Sequence, residues 1–540
     1  MRSTLASPIV ITCTQKSFPL AEMETSKGHI ELEGVDGLLK FVGVGFFQVR
    51  LQVIMSLIKI PQHYMVMNIY FSQLNPSWSC VNNSSRSVAC PTNETLVSGD
   101  QRRCDMPRNA WVYTKPHAYS IVTTYDLSCD REWYIYVCAS SFFLGWGVGS
   151  FIFGWIGDNY GRRKVLLPAL SGILVVSAVS VLSPNVFVFI AFRFIVGILT
   201  AGVLLSMVIL AAEFVGPEHR PITTIGLFAM SSISEILQAV QAMYVQNWRY
   251  LTLMLTLPYL LLLLSWKWIP ESGRWLHAKG HGEKAIAIFT KISKDHGRDL
   301  PSNVSLKPMS NAITSKRSNI CSLFSSKEMG LKTISLSFGW LAGSMGYYGI
   351  ALAARDLGGS NVYVNFIAIS TVGIPAVTLA IAGCKMIGRK RTIVPALMIG
   401  GMLSVLSGLL PSTGVPPYLR LVVGVFGRFF FTISFIGLYT WSAELYPTLL
   451  RSVGMGFSQV MSRIGGIATP WIANGLRNVH PSAPFVVLGG IAIVGGLVML
   501  HLPETKEVKN EIVCADKVRS NPIIVNQKAV ALEFSSSQQH

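Results

Sequence analysis

Twelve times along this chain a stretch of about 20 mostly apolar residues recurs, long enough to cross a bilayer as a helix. The stretches lie near 47–71, 133–157, 165–182, 186–214, 222–245, 248–269, 332–354, 361–384, 392–410, 417–443, 452–474 and 484–502. Inside hydrocarbon every backbone polar group needs a partner within the protein, so such segments span as helices. The predicted fold class is an all-α membrane protein of twelve transmembrane helices. Composition agrees. Hydrophobic residues make up 51% of the 540 and charged residues only 13%, against about 25% charged in a soluble chain. The first forty residues mix charges of both signs, and their longest apolar run, Ser7 to Cys13, is too short for a signal-peptide core.

Net charge is +18. In a soluble protein that excess would point to nucleic acid. Here the basic residues cluster in alternate loops: Arg162, Arg163 and Lys164 after span 2, Arg220 after span 4, Arg389, Lys390 and Arg391 after span 8, and Arg451 after span 10. They read as topology determinants that place these loops, both termini (1–46 and 503–540) and the central loop (270–331) in the cytoplasm. The loop 72–132 is then extracellular. It contains glycosylation sequons at Asn82, Asn83 and Asn93 and four cysteines, Cys80, Cys90, Cys104 and Cys129. In an oxidising compartment four cysteines suggest two disulfides, in one of three pairings.

The two halves, 47–269 and 332–502, echo each other. Gly161-Arg162-Arg163-Lys164 after span 2 is answered by Gly388-Arg389-Lys390-Arg391 after span 8. Glu213 and Arg220 at the end of span 4 are answered by Glu444 and Arg451 at the end of span 10. Pro270-Glu271-Ser272 after span 6 is answered by Pro503-Glu504-Thr505 after span 12. Matched signatures at matched ordinal positions predict two six-helix halves related about an axis along the membrane normal, with a substrate site between them near the midplane.

These residues resemble the major facilitator superfamily, whose loop signature G-x-x-x-D-x-x-G-R-R is matched by Gly154, Asp158, Gly161, Arg162 and Arg163. The second copy has Lys385 where the acid would stand. More narrowly, the chain is similar to the organic ion transporters of solute carrier family 22. That likeness rests on Asn247-Trp248-Arg249, Pro270-Glu271-Ser272-Gly273-Arg274-Trp275-Leu276, with Gly273 where the family usually has proline, and Glu444-Leu445-Tyr446-Pro447-Thr448 with Arg451. It implies that Asp158, Arg162, Arg163, Glu213, Arg220, Glu444 and Arg451 form gating networks, the alternative being that they set topology only.

Ionisable groups within spans are costly and usually functional. Arg463, taken as the single mid-span arginine, lies among small residues (Ser462, Gly465, Gly466) in span 11, and its fork suits a carboxylate or sulfonate. The resemblance agrees, since members handling organic anions or carboxylate-bearing zwitterions carry arginine there and cation transporters carry aspartate. Span 1 presents Lys59, Gln62 and His63 at helical spacing, Lys59 either lining a cavity or snorkelling to an end. Glu235 in span 5 pairs with Arg463 or Lys59, carries a coupling proton, or receives a cationic group. Trp340, Tyr347 and Tyr348 in span 7, with Phe435 and Tyr439 in span 10, supply candidate aromatic walls, an expectation strengthened by the resemblance. The span 8 segment Gly373-Ile374-Pro375-Ala376-Val377 lacks the acid and lysine of kidney-type anion exchangers, which favours monoanions or zwitterions.

The expected function is alternating-access transport of small organic anions or zwitterions across the plasma membrane by a monomer, with a coupling ion or counter-substrate. The rival readings are a polyspecific cation carrier of the same family and a ligand-binding receptor that does not transport. No nucleotide-binding loop, H-E-x-x-H or G-x-S-x-G motif is present, so an enzyme, a cofactor and a metal site are not expected.

Overall fold

The computed structural model describes residues 24–26, 29–32, 34–81, 101–216, 218–298, 300, 304–306, 320–358, 361–411, 416–447 and 450–506. Asn82, Asn83, Asn93, Cys90 and the outer parts of both terminal tails, 1–23 and 507–540, lie outside them. Twelve helices follow the apolar runs: α1 (Phe46–Ser72), α2 (Trp133–Tyr160), α3 (Arg163–Ser180), α4 (Val186–Glu213), α5 (Arg220–Tyr244), α6 (Trp248–Leu263), α7 (Lys327–Leu352), α8 (Val362–Met386), α9 (Arg389–Leu409), α10 (Pro417–Leu445), α11 (Arg451–Pro470) and α12 (Ala483–Met499). Local chemistry fixes several starts. Asn185, Asn247, Ser326 and Asn361 each accept a hydrogen bond from an orphan backbone N–H of the helix that follows.

Eight of these helices are long and apolar enough to cross a membrane by composition alone. Among the others, α1, α7 and α11 are diluted by polar residues, and these three face the middle of the molecule. α1 is entered through a short amphipathic helix, Val35–Val42, bent 109° away from it. Its Asp36 carboxylate lies 3.5 Å from Arg220 and accepts a hydrogen bond from Arg274.

The matched signatures of the two halves fold into matched structures. In the first half the Glu271 carboxylate accepts from the backbone N–H of Arg162 (2.8 Å) and Arg163 (3.2 Å), capping the start of α3 from a distant loop. In the second, Glu504 accepts from the N–H of Arg389 (2.8 Å) and Arg391 (3.4 Å) at the start of α9. A carboxylate there also meets the positive end of the helix dipole. Burial opposes the charged form of Glu504. The backbone donors of Arg389, Lys506, Arg391 and Thr505 outweigh it and hold the carboxyl below its usual range. Gly161 and Gly388 sit directly beneath these carboxylates at φ +108° and +127°, a region reserved for glycine. That geometry is the physical content of the repeated Gly-Arg and Pro-Glu motifs. Gly273, the departure from the usual proline, lies so close to Phe289 that a Cβ would fall 2.5 Å from its ring.

The end of the bundle that holds these motifs is the basic face. The opposite, disulfide face carries a small module in which Trp78–Cys80 pairs antiparallel with Trp111–Tyr113. Trp78, Met106, Ala110 and Trp111 form its buried core. Cys104 and Cys129 stand at disulfide-bonding geometry, their Cα atoms 5.5 Å apart, and Cys80 is itself disulfide-bonded. Of the three pairings the sequence leaves open, this one joins Cys104 to Cys129.

The halves meet on the disulfide face, in the middle, and towards the basic face, where Ile225 and Phe228 of α5 pack against Ala376, Val377 and Ala380 of α8 and Ile433 and Ile436 of α10. Tyr70 and Phe71 of α1 pack on Phe366 and Tyr363 of α8, with ring centroids 4.4 to 5.8 Å apart. Tyr136 and Ser140 of α2 meet Trp471, just past α11, whose indole N–H donates to Ser140 Oγ at 3.1 Å. On the basic face each described ion pair joins residues of one half.

Candidate functional site

Glu235, on α5, is the one acidic side chain buried among the described residues. Its partner is neither Arg463 nor Lys59. Arg428 of α10 donates to both its oxygens from Nη2, at 2.9 and 3.3 Å. His63 Nε2 of α1 lies 3.0 Å from Oε1, and the Tyr347 hydroxyl of α7 donates to the same oxygen at 3.2 Å. Arg428 also donates to the Tyr347 carbonyl and lies 3.5 Å from the centre of its ring. Two helices of each half therefore meet on one carboxylate.

The second cationic group is differently placed. Arg463 is 6% exposed, its guanidinium 3.9 Å from the ring centre of Trp146 in α2. Tyr348 and Tyr439 lie within range of its charge. Among the described residues no acidic side chain pairs with it. The glycines beside it permit its position: a Cβ at Gly466 would fall 2.5 Å from Phe143, and one at Gly465 would fall 2.8 Å from the Leu341 carbonyl. Small residues thus bring α11 against α2 and α7. Lys59 is buried rather than snorkelling. Its Nζ donates to Gln62 Oε1 at 2.7 Å and lies 5.9 Å from the Phe228 ring. It feels both the Arg463 and the Glu235 charges.

Aromatic rings close the walls. Trp340 crosses Tyr439 at 4.6 Å and Phe435 at 5.5 Å, while its N–H donates to Ser442 Oγ at 2.8 Å. Tyr347 stacks on Phe435 at 5.3 Å, and Tyr348 meets Phe143 of the other half at 4.9 Å. All the candidate substrate residues are brought together between the halves. The result is a closely packed, apolar and aromatic cluster with few polar anchors, the composition usual for the lining of a small-molecule chamber.

The candidate gating residues assemble within each half. Arg162 contacts Asp158 at 2.9 Å and donates to the Gly157 carbonyl. Arg163 donates to the Trp266 carbonyl at 3.0 Å. Glu213 lies within charge range of Arg162 and Arg274, whereas Arg220, expected in the same network, turns to Asp36. In the second half Glu444 binds Arg389 at 2.8 Å and accepts from the Thr505 hydroxyl at 2.7 Å. Arg451 is exposed.

Arg463 is not the single mid-span arginine. Arg428 and Arg193 are also buried within spans. Arg193 of α4 lies 4.6 Å from the Phe142 ring centre and donates to the Met65 carbonyl at 3.3 Å. The signal that singled out Arg463, a charge inside an apolar run, also marks Phe192-Arg193-Phe194 and Gly427-Arg428-Phe429.

Twelve helices in two matched halves, meeting around this buried cluster, define a membrane protein with the major facilitator fold. Solved structures agree on the fold: a D-xylose-proton symporter has a TM-score of 0.60 at 15% identity, covering 85% of this chain and 99% of that one. The E. coli xylose transporter XylE in an inward open conformation has a TM-score of 0.58 at 15% identity, covering 85% and 97%. Residues 96–513 match the sugar (and other) transporter family. Curated relatives include solute carrier family 22 member 3 of Mus musculus, 31% identical over 399 residues and covering 74% of this chain and 71% of that one. Organic anion transporter 3 of Homo sapiens is 30% identical over 425 residues, covering 77% of each. The organic cation transporter protein of Drosophila melanogaster is 30% identical over 411 residues, covering 74% of each. The chain belongs to solute carrier family 22 and is a secondary transporter, not an enzyme.

Proposed function

We propose that this transporter carries small organic anions or zwitterions bearing a carboxylate, sulfate or sulfonate across the plasma membrane by alternating access. Relatives bear names of both charge classes, so the choice between them rests on the site. The observation that supports anions is Arg463: a buried guanidinium within a span with no acidic partner among the described residues, beside a cluster whose one described buried acid is already held by Arg428. An anionic substrate would satisfy that guanidinium in a low-dielectric setting, and a simple cation would be repelled. Lys59 adds a second positive group, and the aromatic walls hold the organic body. Binding a compound without moving it would make the protein a receptor. Uptake of labelled monocarboxylates, sulfated steroids, carnitine and tetraethylammonium into expressing cells tests the reading. Saturable anion or zwitterion uptake, accelerated by the same compound preloaded inside, is the expected result; cation uptake alone would overturn it.

The basic face is assigned to the cytoplasm together with both termini, and the disulfide face to the exterior. The carrier acts as a monomer, with a coupling ion or counter-substrate supplying the driving gradient. Glycosidase should lower the apparent mass of the protein from animal cells, and the Asn82/Asn83/Asn93 triple substitution should remove that shift. An unshifted parent protein would reverse the assignment of faces.

A further inference from the structure

Among the described residues the charges buried within the spans are unbalanced: Lys59, Arg193, Arg428 and Arg463 against Glu235 alone. Which of them a substrate meets depends on what the protein has already paired. Arg193 lies within the first half, against Phe142 and the Met65 carbonyl. Glu235 belongs to the chamber. Lys59 feels its charge as well as that of Arg463. Tyr347, which donates to Glu235, stacks on Phe435 in the aromatic wall and crosses Tyr348 at 5.1 Å. Left uncovered, a carboxylate in this position would attract an organic cation, and aromatic rings around it would favour that cation further.

Arg428 covers it. Nη2 contacts both carboxylate oxygens, Nη1 donates to the Tyr347 backbone, and the guanidinium plane lies on the Tyr347 ring. Both partners are 2% exposed. Such a pair contributes little net stability compared with apolar packing of equal volume. Its effect is on the field, because it removes the single negative charge a cation could use. We propose that the Glu235–Arg428 pair sets the charge selectivity of this carrier, Arg428 acting as a specificity-determining mask over an otherwise cation-attracting acid. The inference rests on the anion reading of the same chamber and assigns the exclusion of cations to a residue that need not touch substrate.

The test compares the parent, Arg428→Met, Glu235→Gln and the double variant. Surface biotinylation accompanies uptake of tetraethylammonium and estrone sulfate at about pH 8, where an unpaired carboxyl is more fully ionised. Arg428→Met unmasks Glu235 and should raise tetraethylammonium uptake per surface molecule by about tenfold or more. The double variant removes both charges and should return cation uptake to the parent level. If Arg428→Met reaches the surface without that gain, or the double variant keeps it, the mask is refuted. Should Arg428→Met not reach the surface, Glu235→Gln decides: it frees a positive group beside the chamber, so the KM for estrone sulfate should fall several-fold, and an unchanged or higher KM refutes the mask. Failure of the underlying anion reading looks different. The parent itself would then move tetraethylammonium and no anion, whatever the variants do.

Discussion

Uptake of carboxylate- or sulfate-bearing substrates should disappear in Arg463→Ala while the protein still reaches the cell surface. The guanidinium has an aromatic neighbour but no acidic partner among the described residues, so removing it strands no buried countercharge within the protein. That separates this arginine from Arg428, whose loss leaves Glu235 unpaired. A bound anion, by contrast, would lose a desolvated charge partner, an effect of about 2–5 kcal/mol where such pairs are truncated, or roughly 30-fold to several thousand-fold in uptake at low substrate. Arg463→Lys should recover only part of the rate, since lysine keeps the charge but loses the planar fork and the stacking on Trp146. Initial rates normalised to surface protein provide the measurement. Parent-like anion uptake by Arg463→Ala would remove Arg463 from the substrate site.

Gly388→Ala and Gly161→Ala should each destabilise the protein, although neither glycine approaches the chamber. An added Cβ would fall 2.5 Å from Glu504 Oε2 at position 388 and 2.3 Å from Glu271 Oε2 at position 161. A carboxylate at the end of a flexible side chain can swing away from such a clash. Doing so abandons the backbone N–H groups it caps, which costs about 1 kcal/mol. The backbone conformation adds about 1–3 kcal/mol of strain for any residue with a Cβ. Lower surface expression and a lower melting temperature in detergent are the expected readings. Because the cap and the glycine act through one contact, Gly388→Ala combined with Glu504→Gln should cost less than the sum of the two single changes. Additive losses would show that the glycine and the carboxylate work independently.

The apolar runs and their punctuation made the helices legible in the sequence, since in hydrocarbon length and hydropathy leave the backbone one regular solution. The repeated Gly-Arg and Pro-Glu motifs likewise announced two related halves. Helical spacing placed Lys59, Gln62 and His63 on one face, and the glycines around Arg463 foretold its close packing. Partner choice was not legible. Glu235 and Arg428 are separated by 193 residues and lie in different halves, so periodicity fixes the rotational phase of each helix but not which side chains meet. The same limit applies to Arg220, whose partner Asp36 lies 184 residues away on a short helix outside the spans. Arg428 itself was visible. As a charge inside an apolar run it carries the same signal as Arg463, but nothing in the sequence pairs it with Glu235. The pattern also explains why α1, α7 and α11 are the less hydrophobic spans: they face the chamber, and lipid sees little of their polar residues.

The rings that seal the disulfide face have a thermal consequence. Turning the chamber towards that side must part Tyr70 and Phe71 from Phe366 and Tyr363, and Tyr136 from Trp471, wetting surfaces that are now dry. Exposing apolar area to water raises heat capacity, by about 0.45 cal/K/mol for each Å². The barrier to that half of the cycle therefore changes its enthalpy as the membrane warms. Transport limited by that step would then follow a curved rather than a straight dependence on reciprocal temperature.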